Sequence, residues 1–318
     1  MEGISGVVYG DSKTIYDVAY TPDIVFAHRP TGDLTLQLLT PVEPNIPKPQ
    51  FHALYAKLDR EHPRPEPPKE TRRFPLIVDV PGSGWSGADG HRHVPKMVRL
   101  AEAGYAVACI SYRGTFKDDV RFPAAVQDLK EAIRFLRANA EMFYIDPSRV
   151  ALLGDSSGGH TVAFGALTGA EMEFNIGEYL EQDTSVKACV IFYGPNDMTH
   201  LVEDRIAEGK KLRPGEGEFP FEAREMYQED FLRDPAGMLA DASATSYITK
   251  DKKLPSFLFL QGDDDPIIPV RQGVRFCEKV RSCGGRAEFF KIAGAQHGTG
   301  CWTPQVMDLI VRFLNAYV

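Results

Sequence analysis

The chain has 318 residues, 43% hydrophobic and 25% charged, and is long enough to bury a sizeable core without disulfide or metal staples. Lys plus Arg numbers 36 against 44 for Asp plus Glu; the formal net charge of −8 argues against a general nucleic-acid binder while leaving room for one local basic patch. The N-terminus MEGISGVVYGDSK has neither a basic start nor an apolar run, so no secretory signal is expected, and the apolar stretches are too short for a membrane span.

Eight short runs rich in β-branched and aromatic residues predict buried strands. The first two are PDIVFA (22–27) and LTLQLLT (34–40). Residues 42–73 follow, with PVEPNIPKP and HPRPEPPKE, and read as an elaborated connection. The remaining runs are FPLIVDV (74–80), YAVACISY (105–112), RVALLG (149–154), KACVIFYG (187–194), PSFLFLQG (255–262) and AEFFKI (287–292). From FPLIVDV onward, helix-length segments alternate with them. Around 124–138, Val126, Leu129, Ile133 and Leu136 recur at helical spacing and make one apolar face. Residues 198–240, with Phe219, Phe221, Tyr227 and Phe231 among charges, break the rhythm between two strand runs. They predict a lid or substrate-binding insertion at the sheet edge, with surface decoration as the alternative. At the C-terminus Val306, Leu309, Ile310, Phe313 and Leu314 repeat the amphipathic pattern. Strands alternating with helices imply an α/β fold, its mostly parallel sheet covered on both faces. One domain over 1–318 is expected, with 1–73 as N-terminal strands and Pro-rich connection and 198–240 as the cap. The five cysteines, Cys109, Cys189, Cys277, Cys283 and Cys301, form no CxxC or Cys/His cluster and read as reduced thiols of a cytoplasmic protein, the alternative being a disulfide among the last three.

The sharpest motif is Gly154-Asp155-Ser156-Ser157-Gly158, directly after the strand RVALL and before a helical segment starting near Ser157. A serine in G-x-S-x-G sits on a tight strand-to-helix turn that strains its backbone, and the glycines let neighbouring chain pass close. The turn lifts the hydroxyl above the sheet edge and leaves the Ser157 amide free to donate to a developing oxyanion. The Lys of a phosphate-binding loop is missing.

A nucleophilic serine needs a base, and the base an orienting carboxylate. His160, His200 and His297 lie beyond Ser156. His297, in Gly294-Ala295-Gln296-His297-Gly298, follows the last strand run and sits in a glycine-flanked loop before the final helix, where a mobile base belongs. His160 lies one helical turn past Ser156 and is expected to pack locally; His200 lies in the insertion. The strand PSFLFLQ runs into Gly262-Asp263-Asp264-Asp265-Pro266. Pro266 makes a stiff turn that fixes the residue before it, which favours Asp265 as the carboxylate; Asp263, able to bond amides of its own turn, is the alternative. The run lacks the spacing and terminal Glu of a Ca²⁺ loop.

FPLIVDV ends in Pro81-Gly82-Ser83-Gly84-Trp85, a loop able to present amides opposite the nucleophile. Ser83, Gly84 and Ser157 are the oxyanion candidates, and Trp85 and Tyr193 the substrate-binding ones, Trp85 as an apolar wall of the acyl site. His91 and His93 lack a third ligand, and no metal is expected.

GDSSGGH, QGDDDPIIP and GAQHG, in this order, resemble the α/β-hydrolase superfamily, in particular its esterase/lipase group with hormone-sensitive-lipase-like and bacterial feruloyl-esterase-like members. Ser111-Tyr112-Arg113, FPAAVQDLKEAIRFLRANA and IDPSRVALLGDSSGGH add to the likeness, which covers about 74–318. The resemblance implies an eight-stranded α/β-hydrolase fold with Ser156 as nucleophile, Asp265 as acid and His297 as base. Many relatives carry H-G-G-G-[WF] where this chain has Pro81-Gly82-Ser83-Gly84-Trp85; a Gly-Ser in that loop sides with the feruloyl-esterase-like members.

The expected function is a cofactor-independent serine carboxylesterase acting on small-molecule esters: short acyl, acetylated-sugar or hydroxycinnamoyl. No nucleic-acid or membrane partner is expected, and the oligomeric state is left open, a homo-oligomer included. The rival readings are a prolyl-oligopeptidase-like peptidase, a non-catalytic binding protein that kept the fold, and formamide hydrolysis by the same residues.

Overall fold

Each of the eight apolar runs forms a strand. The computed structural model describes residues 16–42, 72–169, 171–172, 174–214 and 216–318, so most of the Pro-rich connection lies outside the described residues. Strands β1 (Asp17–Arg29) and β2 (Gly32–Val42) make an antiparallel hairpin longer than the apolar runs within it. They are followed by β3 (Phe74–Val80), β4 (Ala106–Ile110), β5 (Ile145–Asp155), β6 (Ala188–Phe192), β7 (Ser256–Gly262) and β8 (Ala287–Ile292). The sheet order is β1-β2-β4-β3-β5-β6-β7-β8; β2 pairs antiparallel with β4, and every pairing from β4 to β8 is parallel.

The period of two along each strand sorts its side chains onto two cores. Leu76, Val78, Leu152, Ile191 and Phe259 face one core with helices α2 (Ala124–Ala138), α3 (Ser157–Leu167) and α7 (Val270–Ser282). Ile77, Leu153, Val190 and Leu258 face the other with α1 (Val94–Glu102) and α8 (Pro304–Tyr317). Burial on both sides is why these strands read as continuous apolar runs.

Helix α2 buries Val126, Leu129, Ile133 and Leu136 as its spacing predicts. Its charged flank is buried as well. Asp128 accepts from Arg29 and Arg113, Lys130 donates to the Thr168 carbonyl at 2.8 Å, and Arg134 to Glu178 O at 3.0 Å. In α8 the buried set is Val306, Met307, Ile310, Phe313 and Leu314, with Leu309 half-buried at its edge. All five cysteines are free thiols. Among the described residues no helix is long and apolar enough to cross a membrane.

The segment between β6 and β7 folds into short helices α4 (Leu201–Ala207), α5 (Phe221–Tyr227) and α6 (Pro235–Asp241). These gather Met198, Leu201, Met226, Phe231 and Leu239 into a small core closed underneath by Trp85. Arg205 is buried there against the carboxylates of Glu222 and Glu216 and donates from Nε to the Ile267 carbonyl at 3.0 Å. Gln272 of α7 ties the segment to the body, donating to Asp204 Oδ2 at 2.9 Å.

Candidate active site

Strand β5 ends at Asp155, and the chain turns through Ser156 directly into α3. Ser156 holds φ 53° and ψ −124°, a strained combination for a side-chain-bearing residue. The flanking glycines are required by close approach: a Cβ on Gly154 would stand 2.5 Å from Gly158 O, and one on Gly158 2.0 Å from Val80 O. The turn therefore packs against the end of β3, and the serine hydroxyl projects above the sheet.

His297 follows β8 and reaches back across the sheet end. Its Nε2 is 2.9 Å from Ser156 Oγ, and its Nδ1 is 2.9 Å from Asp265 Oδ2. Asp265 is wholly buried after β7 and also accepts from Gln261 Nε2 at 2.9 Å and from the amides of Ile267 and Ile268 at 2.8 and 3.0 Å. Burial alone would raise its pKa, but His297 and the two amides outweigh that and hold the carboxyl below its usual range. The aspartate run divides its work. Asp263 accepts from the Gly294 amide at 2.7 Å and Asp264 from Gln296 Nε2 at 3.3 Å, so both brace the loop that carries His297.

The oxyanion candidates lie together above Ser156. The Ser83 amide already donates to Ser157 Oγ at 2.8 Å, and the Ser83 hydroxyl lies 2.8 Å from Tyr112 OH, which itself donates to Pro81 O. Among the described residues no acceptor is found for the amides of Gly84 and Ser157. These two are the open donors, with Ser83 tied to the helix start beside them.

Trp85 borders the cleft but is only 4% exposed, and its indole N–H donates to His160 Nδ1 at 3.3 Å. The expected acyl wall is thus chiefly the floor on which the insertion rests. His160 packs locally as expected: it is fully buried, its Nε2 bonded to Ala242 O at 2.9 Å, and burial lowers its pKa to about 4. Tyr193 is also buried. Its ring backs His297 at 4.6 Å and its hydroxyl donates to Asp155 Oδ2 at 3.0 Å, so it braces His297 while also lining the cleft. His200 bonds Asp197 within the insertion.

Asp155 is a residue the motif conceals. Its Oδ1 accepts from the Gly82 amide at 2.6 Å and faces His93 Nε2 at 3.3 Å, while His93 Nδ1 bonds the buried Asp79 at 2.9 Å. It thereby ties the Gly82 loop to the Ser156 turn. The sequence signal for it is a charge directly after the apolar run VALLG (150–154). Burial disfavours the His93 cation, yet Asp79 and Asp155 outweigh it and raise its pKa.

The cleft over Ser156 has a volume of about 400 Å³. Its walls also carry Arg92 and Lys96 from the body and Arg213 and Glu225 from the segment between β6 and β7, none of which the sequence motifs single out. Of the insertion's aromatics, Phe219, Tyr227 and Phe231 turn inward to its own core, while the half-buried Phe221 lies under the Arg213 guanidinium at 5.1 Å. Among the described residues no group of three or more His, Cys, Asp or Glu side chains is placed to hold a metal ion.

The BD-FAE family model matches residues 65–280, a span that contains Ser156 and Asp265 and stops short of His297. The chain is 31% identical over 252 residues to Esterase LipC of Mycobacterium tuberculosis, covering 77% of this chain and 59% of that protein. It is 29% identical over 234 residues to the isoprenylcysteine alpha-carbonyl methylesterase ICME of Arabidopsis thaliana, covering 70% and 50% respectively. It thus spans about half to three fifths of the length of these relatives. Among solved structures, a truncated carbohydrate esterase from gut microbiota superposes with a TM-score of 0.73 at 23% identity, covering 97% of this chain and 99% of that one. The apo form of Thermogutta terrifontis esterase 2 follows at 0.67 and 20%, covering 96% of each; at such identities the likeness speaks for the fold. With the strand order and the family match in agreement, the chain belongs to the BD-FAE family of α/β-hydrolase esterases.

Proposed function

We propose that the protein is a cofactor-independent serine carboxylesterase acting on small esters. The observation that carries this is the unbroken chain Ser156 Oγ, His297, Asp265, with both contacts at 2.9 Å, set beneath the open amides of Gly84 and Ser157. Ser156 attacks the ester carbonyl as His297 Nε2 takes its proton. The two amides hold the oxyanion, His297 returns the proton to the departing alcohol, and an acyl-enzyme remains. Water, deprotonated by His297, then releases the acid. Asp265 keeps the Nδ1 proton in place and stabilises the imidazolium. The esterase names of the relatives agree with this reading.

The segment 198–240 acts in it as a cap, since Arg213 and Glu225 line the cleft. The small, polar-walled cleft suits short acyl, acetylated-sugar or hydroxycinnamoyl esters better than long lipids. Short p-nitrophenyl esters and methyl ferulate test the activity, with fluorophosphonate labelling of Ser156 as the direct readout. Ser156→Ala should lose labelling and lower turnover by about a million-fold. Full activity in that variant would overturn the mechanism.

A further inference from the structure

The two walls of the cleft differ in how their charges are matched. On the insertion side Arg213 faces Glu222 at 3.7 Å and Glu225 at 3.8 Å, and Glu222 is also held by Arg205 at 2.6 Å. On the body side Arg92 and Lys96 line the same cleft with no carboxylate at ion-pair distance among the described residues. Arg92 Nη1 donates to Gly82 O at 3.4 Å. Lys96 Nζ lies 3.2 Å from His93 Nε2 and 4.4 Å from the centre of the Trp302 ring.

Both cations are close to the nucleophile. A Cβ on Gly82 would stand 2.8 Å from Ser156 Cβ, so Arg92 touches a residue that abuts Ser156. Lys96 touches His93, whose Nε2 is 3.3 Å from the Oδ1 of Asp155, the neighbour of Ser156. Asp155 lines the same cleft but is engaged by the Gly82 amide, His93 and Tyr193, and Asp89 acts on Arg92 only at a distance. With neither cation in an ion pair, Arg92 and Lys96 form a local anion site in a chain of net charge −8. A guanidinium and an ammonium there offer charge-assisted hydrogen bonds to an anionic oxygen group. Glu225, which lines the same cleft, opposes this with only part of a charge near neutrality, because burial, with a smaller push from Glu222, outweighs Arg213 and raises its pKa to about 7.

We propose that Arg92 and Lys96 are specificity-determining residues that select esters bearing an anionic oxygen group, carboxylate or phosphate, beside the scissile bond. The inference rests on the serine-esterase reading.

Two matched substrate sets test it. One varies the alcohol side: para-acetoxybenzamide, para-acetoxybenzoate and para-acetoxyphenyl phosphate. The other varies the acyl side: p-nitrophenyl butyrate and p-nitrophenyl hemisuccinate. In at least one set kcat/KM should favour an anionic member over its neutral counterpart by about tenfold at low ionic strength, and the preference should shrink with added salt. The set and arm in which it appears locate the anion and distinguish carboxylate from phosphate. The R92Q/K96Q double variant should bring the anionic-to-neutral ratio to about parity, and R92K/K96R should keep the preference. Neutral esters preferred throughout by the native protein, or a ratio unchanged in R92Q/K96Q, would overturn the inference while leaving the esterase reading intact. If the native protein cleaves no member of either set, the esterase reading fails and takes the inference with it.

Discussion

The Ser156 corner and the segment between β6 and β7 that faces it are built by different means. At the corner, glycines and backbone turns fix the main chain, and the polar side chains of separate strand ends then meet over it. Ser156 is held by the approach of Gly154, Gly158 and Val80, and Asp265 by amides two and three residues on. In the insertion, order depends on long side chains meeting at a distance in sequence. Arg205 gathers Glu216, Glu222 and the Ile267 carbonyl, and Trp85 closes the apolar cluster. Backbone-built sites tolerate surface change and fail abruptly at one atom. Side-chain-built sites loosen by degrees.

The largest effect should come from breaking the corner at one atom. In Asp265→Asn the amides of Ile267 and Ile268 keep their acceptor, but an NH₂ group then faces His297 Nδ1 and favours the wrong tautomer. Turnover should fall about ten-thousand-fold with the melting temperature nearly unchanged, as steady-state assays and calorimetry would show.

Next comes Arg205→Met, which strands two buried carboxylates. It should cost about 3–5 kcal/mol, felt first as protease sensitivity within 198–240, and removing both acids as well should recover much of the loss. Destabilisation spread evenly over the sheet would contradict the separation of the two regions.

Acid should loosen their junction through His160. Its pKa falls from 6.5 in the unfolded chain to about 4 in the fold. Its contribution is therefore present above pH 6.5 and lost as pH falls toward 4, amounting to about 3 kcal/mol. Unfolding as a function of pH measures it, and His160→Gln should flatten that slope. Glu225 acts in the reverse direction: its pKa rises from 4.5 to about 7, so its contribution is present below 4.5 and lost as pH climbs to 7.

The smallest effect should be that of Glu225→Gln. Turnover should change only a few-fold, while a pH step near 7 should disappear from the profile. A profile identical to that of the native protein would remove Glu225 from the working surface of the cleft.

Legibility in the sequence follows the same division. Ser156, His297 and Asp265 stand in short blocks whose glycine and proline content reports the local turn, so each was readable in place. Asp263 competed with Asp265 because the two differ only in which way a three-residue turn points them. Asp128, Lys130, Glu131 and Arg134 look like the solvated flank of an amphipathic helix, and no local pattern shows that β1 and the segment after α3 cover them. Tyr193 and Trp85, expected as substrate surface, do border the cleft, but both are largely buried and spend their polar atoms on Asp155 and His160, a support that no local pattern shows.

By itself the sequence determined the strand and helix alternation, the two-sided sheet and the three blocks of the candidate triad. Side-chain period and turn chemistry are local properties, written within a few residues. Only the tertiary structure decided which aspartate meets His297, which amides stay open, and that Arg92, Lys96, Arg213 and Glu225 line one cleft. Those outcomes depend on distances of a few ångströms between groups far apart along the chain, and such distances exist only after the sheet has brought its strand ends together.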